Sequence, residues 1–121
     1  MDTSALMMPV ECDVRLFDEL DRLLGDADFV TPAAVVAELD RLATGGSEEA
    51  VAASVGRDLA ERCRVVETDT SYADDALVEL ADRGECGYVV TNDQPLRDRL
   101  LERGVRVIGL RGRNTLNITQ P

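Results

Sequence analysis

The sequence has 121 residues, 45% hydrophobic and only 3% aromatic, so it can bury one aliphatic core in a single domain spanning residues 1–121. It contains no histidine, lysine or tryptophan, which excludes Ser-His and Cys-His nucleophile pairs, histidine metal ligands, Schiff bases and a P-loop lysine. The 24 acids and 13 arginines give a net charge of −11. Any chemistry must therefore use carboxylates, hydroxyls, arginine or a hard metal ion.

The charge is unevenly distributed along the chain. An excess of acids without lysine is what we expect of a protein adapted to high salt, such as one from a halophilic archaeon, and residues 94–121 form the one basic region. The three cysteines are far apart and form no C-x-x-C pair, so we expect reduced thiols. No apolar run has the length of a membrane span and no signal peptide is evident, which predicts a cytoplasmic protein with no membrane partner.

Apolar spacing and turn residues predict alternating helices and strands. Thr31 and Pro32 are expected to cap and begin one helix, and Ser47 to cap another. No strand precedes Asp2. In chain order the predicted elements are a helix at 13–24, a strand at 29–31, a helix at 31–43, a helix at 48–63, a strand at 64–67, a helix at 70–84, a strand at 88–91, a helix at 95–104, a strand at 105–110 and an edge strand at 116–118.

This alternation predicts an α/β fold with three layers, in which helices cover both faces of a central, mostly parallel sheet. The apolar run Tyr88-Val89-Val90 ends in Thr91-Asn92-Asp93 and is followed by a helical pattern. Such a strand-to-helix turn lies at the carboxyl edge of the sheet, where ligands of open α/β sheets bind.

Two acids occupy positions where an ordinary surface carboxylate is not expected. Asp93 follows the apolar strand directly, although it could also serve only as the cap of the next helix. Glu38 lies in the apolar stripe of its helix, beside Ala34 and Val35, where a carboxylate is costly unless it is paired, protonated or bound to a metal. The alternative for Glu38 is an edge position with its carboxylate in solvent near Arg41.

Asp74 and Asp75 open a predicted helix, and only Asp74 lies on the shoulder of its apolar face. Asp75 points away and is expected to be solvated or to support the site. Ser71-x-x-Asp74 also matches a capping box, and Asp2 could be a simple terminal residue. Four carboxylates without histidine would suit Mg²⁺ or Mn²⁺, and water activated by such an ion can hydrolyse a phosphodiester.

Four stretches resemble, in order and spacing, the motifs of PIN-domain ribonucleases, from residue 2 to about residue 118. They are Asp2-Thr3-Ser4, Pro32 with Val36 and Glu38-Leu39, Tyr72-Ala73-Asp74-Asp75-Ala76-Leu77-Val78, and Val90-Thr91-Asn92-Asp93. Within that family, residues 72–75 and 103–111 look most similar to archaeal relatives of the small-subunit rRNA-processing endonuclease. VapC-type toxins are the nearest competitor.

The resemblance implies a Mg²⁺- or Mn²⁺-dependent endoribonuclease acting on single-stranded RNA such as pre-rRNA, with an antitoxin partner only if it is a toxin. Because PIN relatives often pair as dimers, a homodimer is a candidate assembly. The implied catalytic metal ligands are Asp2, Glu38, Asp74 and Asp93, with Ser4, Thr91 and Asp75 in support. The implied phosphate contacts are Arg97, Arg99, Arg111 and Arg113, whose alternative is a solvated surface.

The sequence departs from the family pattern at its start. PIN domains carry an apolar strand before the first aspartate, whereas here only Met1 precedes Asp2, so we expect a truncated first strand and a poorly held Asp2. The net charge also opposes RNA binding. A non-catalytic PIN module that binds RNA or protein in ribosome assembly is therefore the alternative function, whereas a phosphoacceptor receiver domain is disfavoured because the chain has no lysine.

Overall fold

The computed structural model describes all 121 residues and shows the predicted alternation of helices and strands. The helices are α1 Thr3–Glu11, α2 Leu16–Leu24, α3 Ala33–Leu42, α4 Glu48–Leu59, α5 Ala73–Asp82 and α6 Gln94–Glu102, with a short 3-10 helix at Ala60–Arg62. The strands are β1 Val30–Pro32, β2 Arg64–Val66, β3 Tyr88–Val90, β4 Arg106–Arg111 and β5 Thr115–Thr119.

The strands form a mostly parallel arrangement that is divided between β1 and β3. β1 pairs in parallel with β2, while β3 pairs in parallel with β4. The predicted edge strand is β5, which runs antiparallel to β4. Consecutive residues of β3 and β4 are buried, namely Val89 with Val90 and Val107 with Ile108. Because neighbouring residues in a strand face opposite sides, helices must cover both faces, as predicted.

Met1 and Asp2 bridge the division between the two sheets. The α-ammonium of Met1 donates to the Val30 carbonyl at 2.8 Å, and the Thr31 hydroxyl donates to the Met1 carbonyl at 2.9 Å. On the other side, the Asp2 backbone N–H donates to the Val90 carbonyl at 3.1 Å. Two residues thus link β1 to β3, in place of the longer first strand of the PIN pattern. The expectation that Asp2 is poorly held is wrong.

An apolar cavity of about 210 Å³ lies between the facing edges of β1 and β3, next to Met1. Phe29 and Val30 line it on the β1 side and Tyr88 to Val90 on the β3 side, with Leu77 of α5 among the other lining residues. The two sheets are therefore separated by a small apolar space, and only Met1 and Asp2 hydrogen-bond across the gap.

Two local predictions differ from the structure. α1 was not predicted, because the run Ala5–Met8 is buried throughout and leaves no polar face to mark a helical period. Thr31 does not cap α3, since its hydroxyl bonds to Met1 and Pro32 occupies the cap position without a side-chain bond. The predicted Ser47 cap of α4 is confirmed by its bond to the Ala50 N–H.

The three cysteines are free, as predicted. None of the helices combines the length and the apolar character needed to cross a lipid bilayer.

The buried α-ammonium of Met1 predicts a pH-dependent stability. Burial lowers the pKa of this amine from its usual value of 8.0. The unfolded chain keeps its proton at pH values where the folded chain has released it, so stability should be lowest below the folded-state pKa and rise up to about pH 8. Acetylation of the amine removes the charge and leaves one N–H for Val30. We expect the acetylated protein to melt at a higher temperature than the unmodified protein near pH 6. Its stability should no longer rise between the folded-state pKa and pH 8.

Because the chain has no lysine, Met1 carries its only amine, and treatment of the acetylated, unfolded protein with hydroxylamine removes acetyl groups from cysteine and tyrosine while leaving the amide at Met1. Protein unfolded and refolded without the reagent is the matched control. An unchanged melting temperature and an unchanged pH profile after acetylation would contradict the burial of this charge.

Candidate active site

Asp2 is the most buried carboxylate of the site, with 2% of its surface exposed. It caps α1, and its Oδ1 accepts a hydrogen bond from the Thr3 N–H at 2.7 Å. Its Oδ2 accepts from the hydroxyls of Ser4 at 2.8 Å and Thr91 at 2.6 Å. A buried carboxylate is costly unless it is well bonded, and these three donors offset that cost while fixing its orientation.

The turn after β3 is held by the same hydroxyls. Thr91 is 1% exposed, and its Oγ1 accepts from the Asp93 N–H at 3.0 Å while it donates to Asp2. The Ser4 hydroxyl accepts from the Asn92 N–H at 2.9 Å. Asp93 itself caps α6 through a bond from the Leu96 N–H to its Oδ1 at 3.0 Å. The capping role of Asp93 is therefore present, and its second carboxylate oxygen remains available.

Gly109 packs beneath this turn. A Cβ atom at Gly109 would lie 2.9 Å from the carbonyl oxygen of Thr91, a contact that is too close for any other residue without a shift of the backbone. The sequence analysis did not single out Gly109, and an isolated glycine inside a strand pattern was the available signal for such a close backbone approach.

Asp74 lies near the other three predicted acids. Partial burial raises its pKa, and the negative charges of Asp2, Asp93 and Glu38 raise it further, whereas the Arg99 guanidinium opposes this. The capping box predicted for Asp74 is absent, because Tyr72 is the cap of α5 and makes no side-chain bond there. The four acids therefore come from four separate parts of the chain, and the other three repel a negative charge on Asp74.

Asp75 and the four predicted arginines lie in different parts of the structure. Asp75 pairs with Arg99 of α6 at 2.9 Å, and the Arg99 guanidinium also acts on Asp74. Arg97 and Arg111 line a polar cleft that begins at Thr91. Arg113 lies elsewhere, in a cleft with Glu11 and Asp13 near the end of α1. The structure thus brings two of the four predicted arginines next to the turn that holds Asp93.

The four carboxylates are the type of ligand that a hard divalent ion prefers. Asp2 keeps an unused lone pair on Oδ1, and no hydrogen bond occupies Asp74, Glu38 or the second oxygen of Asp93, so oxygen donors remain free. As placed, however, no three acidic or cysteine side chains are close enough to enclose one ion. The residues fit such an ion by charge and donor type, and holding it would require the side chains to move together.

Comparison with known proteins gives one consistent result. A family model described as a PIN-like domain matches residues 1–113. Ribonuclease VapC4 of Methanocaldococcus jannaschii is 25% identical over 121 aligned positions, which cover 97% of this chain and 92% of that protein. The structure of the PIN domain endonuclease Utp24 superposes with a TM-score of 0.79 at 24% identity, covering 99% of this chain and 89% of that one. The last likeness establishes a shared fold.

The hydroxyl of Thr91 should be a major determinant of stability. Thr91→Val keeps the shape but removes the donor to Asp2 and the acceptor for Asp93, and a lost bond to a buried charge costs about 2 kcal/mol. We expect this loss in urea unfolding, largely restored in Thr91→Ser. Thr115→Val, at an exposed threonine of β5, is the control and should change stability by less than about 0.5 kcal/mol. Equal effects at both positions would contradict the assignment.

Repulsion among the acids should make the metal-free protein less stable at neutral pH. Because the folded state holds the Asp74 proton more tightly than the unfolded state, stability should fall as pH rises from 3.8 through the raised folded-state pKa. Asp74→Asn removes the charge, so we expect it to melt higher than the parent at pH 7 in EDTA, with the difference vanishing in acid. Asp98→Asn, at an exposed residue of α6, should show no such gain. A destabilised Asp74→Asn protein at pH 7 would contradict the repulsion.

Proposed function

Because this chain belongs to the PIN-like domain family, we propose that it is an endoribonuclease that hydrolyses single-stranded RNA with the help of Mg²⁺ or Mn²⁺. The observation that supports the proposal is the proximity of three other carboxylates to Asp74, whose pKa is raised by partial burial and, further, by the charges of Asp2, Asp93 and Glu38. Groups of oxygen ligands with excess negative charge are what such ions bind. The name of the relative VapC4 supports ribonuclease activity.

In this proposal the four acids, namely Asp2, Glu38, Asp74 and Asp93, hold the ion. When bound, a divalent ion supplies positive charge to a phosphodiester and lowers the pKa of water. The chain's own contribution is positioning: Ser4 and Thr91 fix the carboxylate of Asp2, and the cap bond from the Leu96 N–H fixes that of Asp93. Asp75 orients Arg99 beside the site through their ion pair.

A second candidate is a non-catalytic PIN module that binds RNA or a protein partner in ribosome assembly. The observation that favours it is the state of Asp2, which is almost fully buried and accepts three hydrogen bonds, so it offers little to an ion as placed. This module would bind RNA equally well with divalent ions chelated.

The biological setting remains part of the proposal. We favour a role in rRNA processing on pre-rRNA, in the high-salt cytoplasm of a halophilic archaeon, with a homodimer as a candidate assembly. The alternative is a VapC-type toxin, which requires an antitoxin partner encoded beside it.

Asp93→Asn tests the proposed activity with little risk to the fold, because asparagine caps a helix as well as aspartate does. We expect cleavage of a labelled single-stranded RNA in high salt with Mn²⁺ to fall by roughly a hundredfold or more, since a ligand to the ion is lost. EDTA should abolish cleavage by the parent protein.

The matched control is Asp98→Asn, which alters an exposed acid of the same helix and should cleave like the parent. Full activity of Asp93→Asn, or cleavage that persists in EDTA, would contradict the metal-dependent mechanism. RNA binding without any cleavage by the folded parent protein would favour the non-catalytic module.

A further inference from the structure

A polar cleft adjoins the proposed active site at the turn after β3. It has a volume of about 450 Å³ and opens between the N-terminal turn of α6 and the sheet surface of β4 and β5. Thr91, whose hydroxyl holds Asp2, forms part of its lining. The volume falls within the range of small-molecule sites, and it is large enough for one nucleotide.

Gly109 lines the cleft on the β4 side and contributes no side chain to it. Gly109 pairs with Asn117 across the β4–β5 ladder, so the two residues share a face of the sheet, and Arg111 lies two residues further along that face. Asn117 and Arg111 also line the cleft. Gly109 therefore takes part both in the close contact with Thr91 and in the lining of the cleft.

The charge of the cleft is opposite to that of the protein as a whole. The chain carries 24 acids, yet no acid lines this cleft. Its charged side chains are Arg97 and Arg111, neither of which takes part in an ion pair with a carboxylate. The only side-chain hydrogen bond of Arg97 goes to the neutral side chain of Gln94, at 2.9 Å. Both guanidinium groups therefore retain an uncompensated positive charge for an anion such as phosphate.

Neutral amides supply the other polar groups of the cleft. Asn92, Gln94, Asn117 and Gln120 line it, and each amide offers both donors and an acceptor. No aromatic ring is present. Paired amide donors and acceptors match the edges of unpaired nucleobases, which is how single-stranded RNA is read, while the two arginines match its backbone.

We propose that this cleft binds one nucleotide of a single-stranded RNA next to the cleaved bond, with Arg97 and Arg111 on the phosphate and the amides on the base. The inference rests on the proposed ribonuclease function for the position of the scissile bond, but the binding itself requires neither the ion nor cleavage. It assigns the arginines a shared binding role, and it assigns base recognition to Asn117 and the other amides.

The test measures binding of a fluorescently labelled single-stranded hexaribonucleotide by anisotropy in EDTA, where no cleavage occurs. We expect the Arg97→Gln, Arg111→Gln double variant to raise Kd about tenfold or more. Each arginine removed should also lower the slope of log affinity against log salt by about 0.7. Asn117→Ala should change the ranking among homopolymers of the four bases and leave the salt slope as it was.

Arg103→Gln is the matched control, since Arg103 follows the far end of α6 and pairs with Asp82 outside the cleft. It should bind RNA like the parent, and circular dichroism and melting of each variant verify its fold. Unchanged binding by the folded double variant, an equal loss in Arg103→Gln, or capture of an acidic peptide in place of RNA would each overturn the cleft assignment.

The two proposals fail separately. RNA binding that depends on Arg97 and Arg111 in a protein that never cleaves RNA would contradict the proposed ribonuclease function and support the nucleotide-binding role of the cleft. Metal-dependent cleavage combined with RNA binding that is unchanged when both arginines are replaced would contradict the nucleotide-binding role of the cleft and leave the proposed ribonuclease function intact.

Discussion

The hydrogen bond between the Thr91 hydroxyl and the buried carboxylate of Asp2 connects the parts of this molecule that matter most for its site. Through Asp2 it fixes the start of α1, and through Thr91 it fixes the turn from β3 into α6. Neither group could be buried alone without a large penalty. Because each satisfies the other, a carboxylate can be kept beneath the surface in a fixed orientation, close to Asp93 at the start of α6.

Features set by neighbouring residues could be predicted from the sequence. The turn after β3 and the Asp93 cap follow from an apolar run that ends in polar residues, and both are present. Features set by distant residues could not be predicted. The helical phase favoured Asp74 over Asp75, but the ion pair of Asp75 with Arg99, which lies 24 positions further along the chain, was not predicted. No local pattern encodes such a pairing.

The elements that the sequence predicted incorrectly are also determined by distant residues. The run Ala5–Met8 in the middle of α1 is buried on all sides, so it lacks the amphipathic period that reveals a helix. Thr31 has the chemistry of a cap, but Met1 offers its hydroxyl a different partner. The split between the two sheets likewise depends on tertiary contacts. Asp2, Glu38 and Asp93 lie close enough to Asp74 to raise its pKa together with its partial burial, although Glu38 and Asp74 belong to helices and only Asp93 follows a strand directly. The four arginines lie in three separate environments.

The link between Asp2 and Thr91 also bears on how the protein is made. Asp2 is synthesised 89 residues before its partner, and chains emerge from the ribosome at only several residues per second. Throughout that interval the four acids cannot assemble, because the segment that carries Asp93 does not yet exist. The arrangement around Asp2 and Thr91 is therefore completed only after about three quarters of the chain has been synthesised.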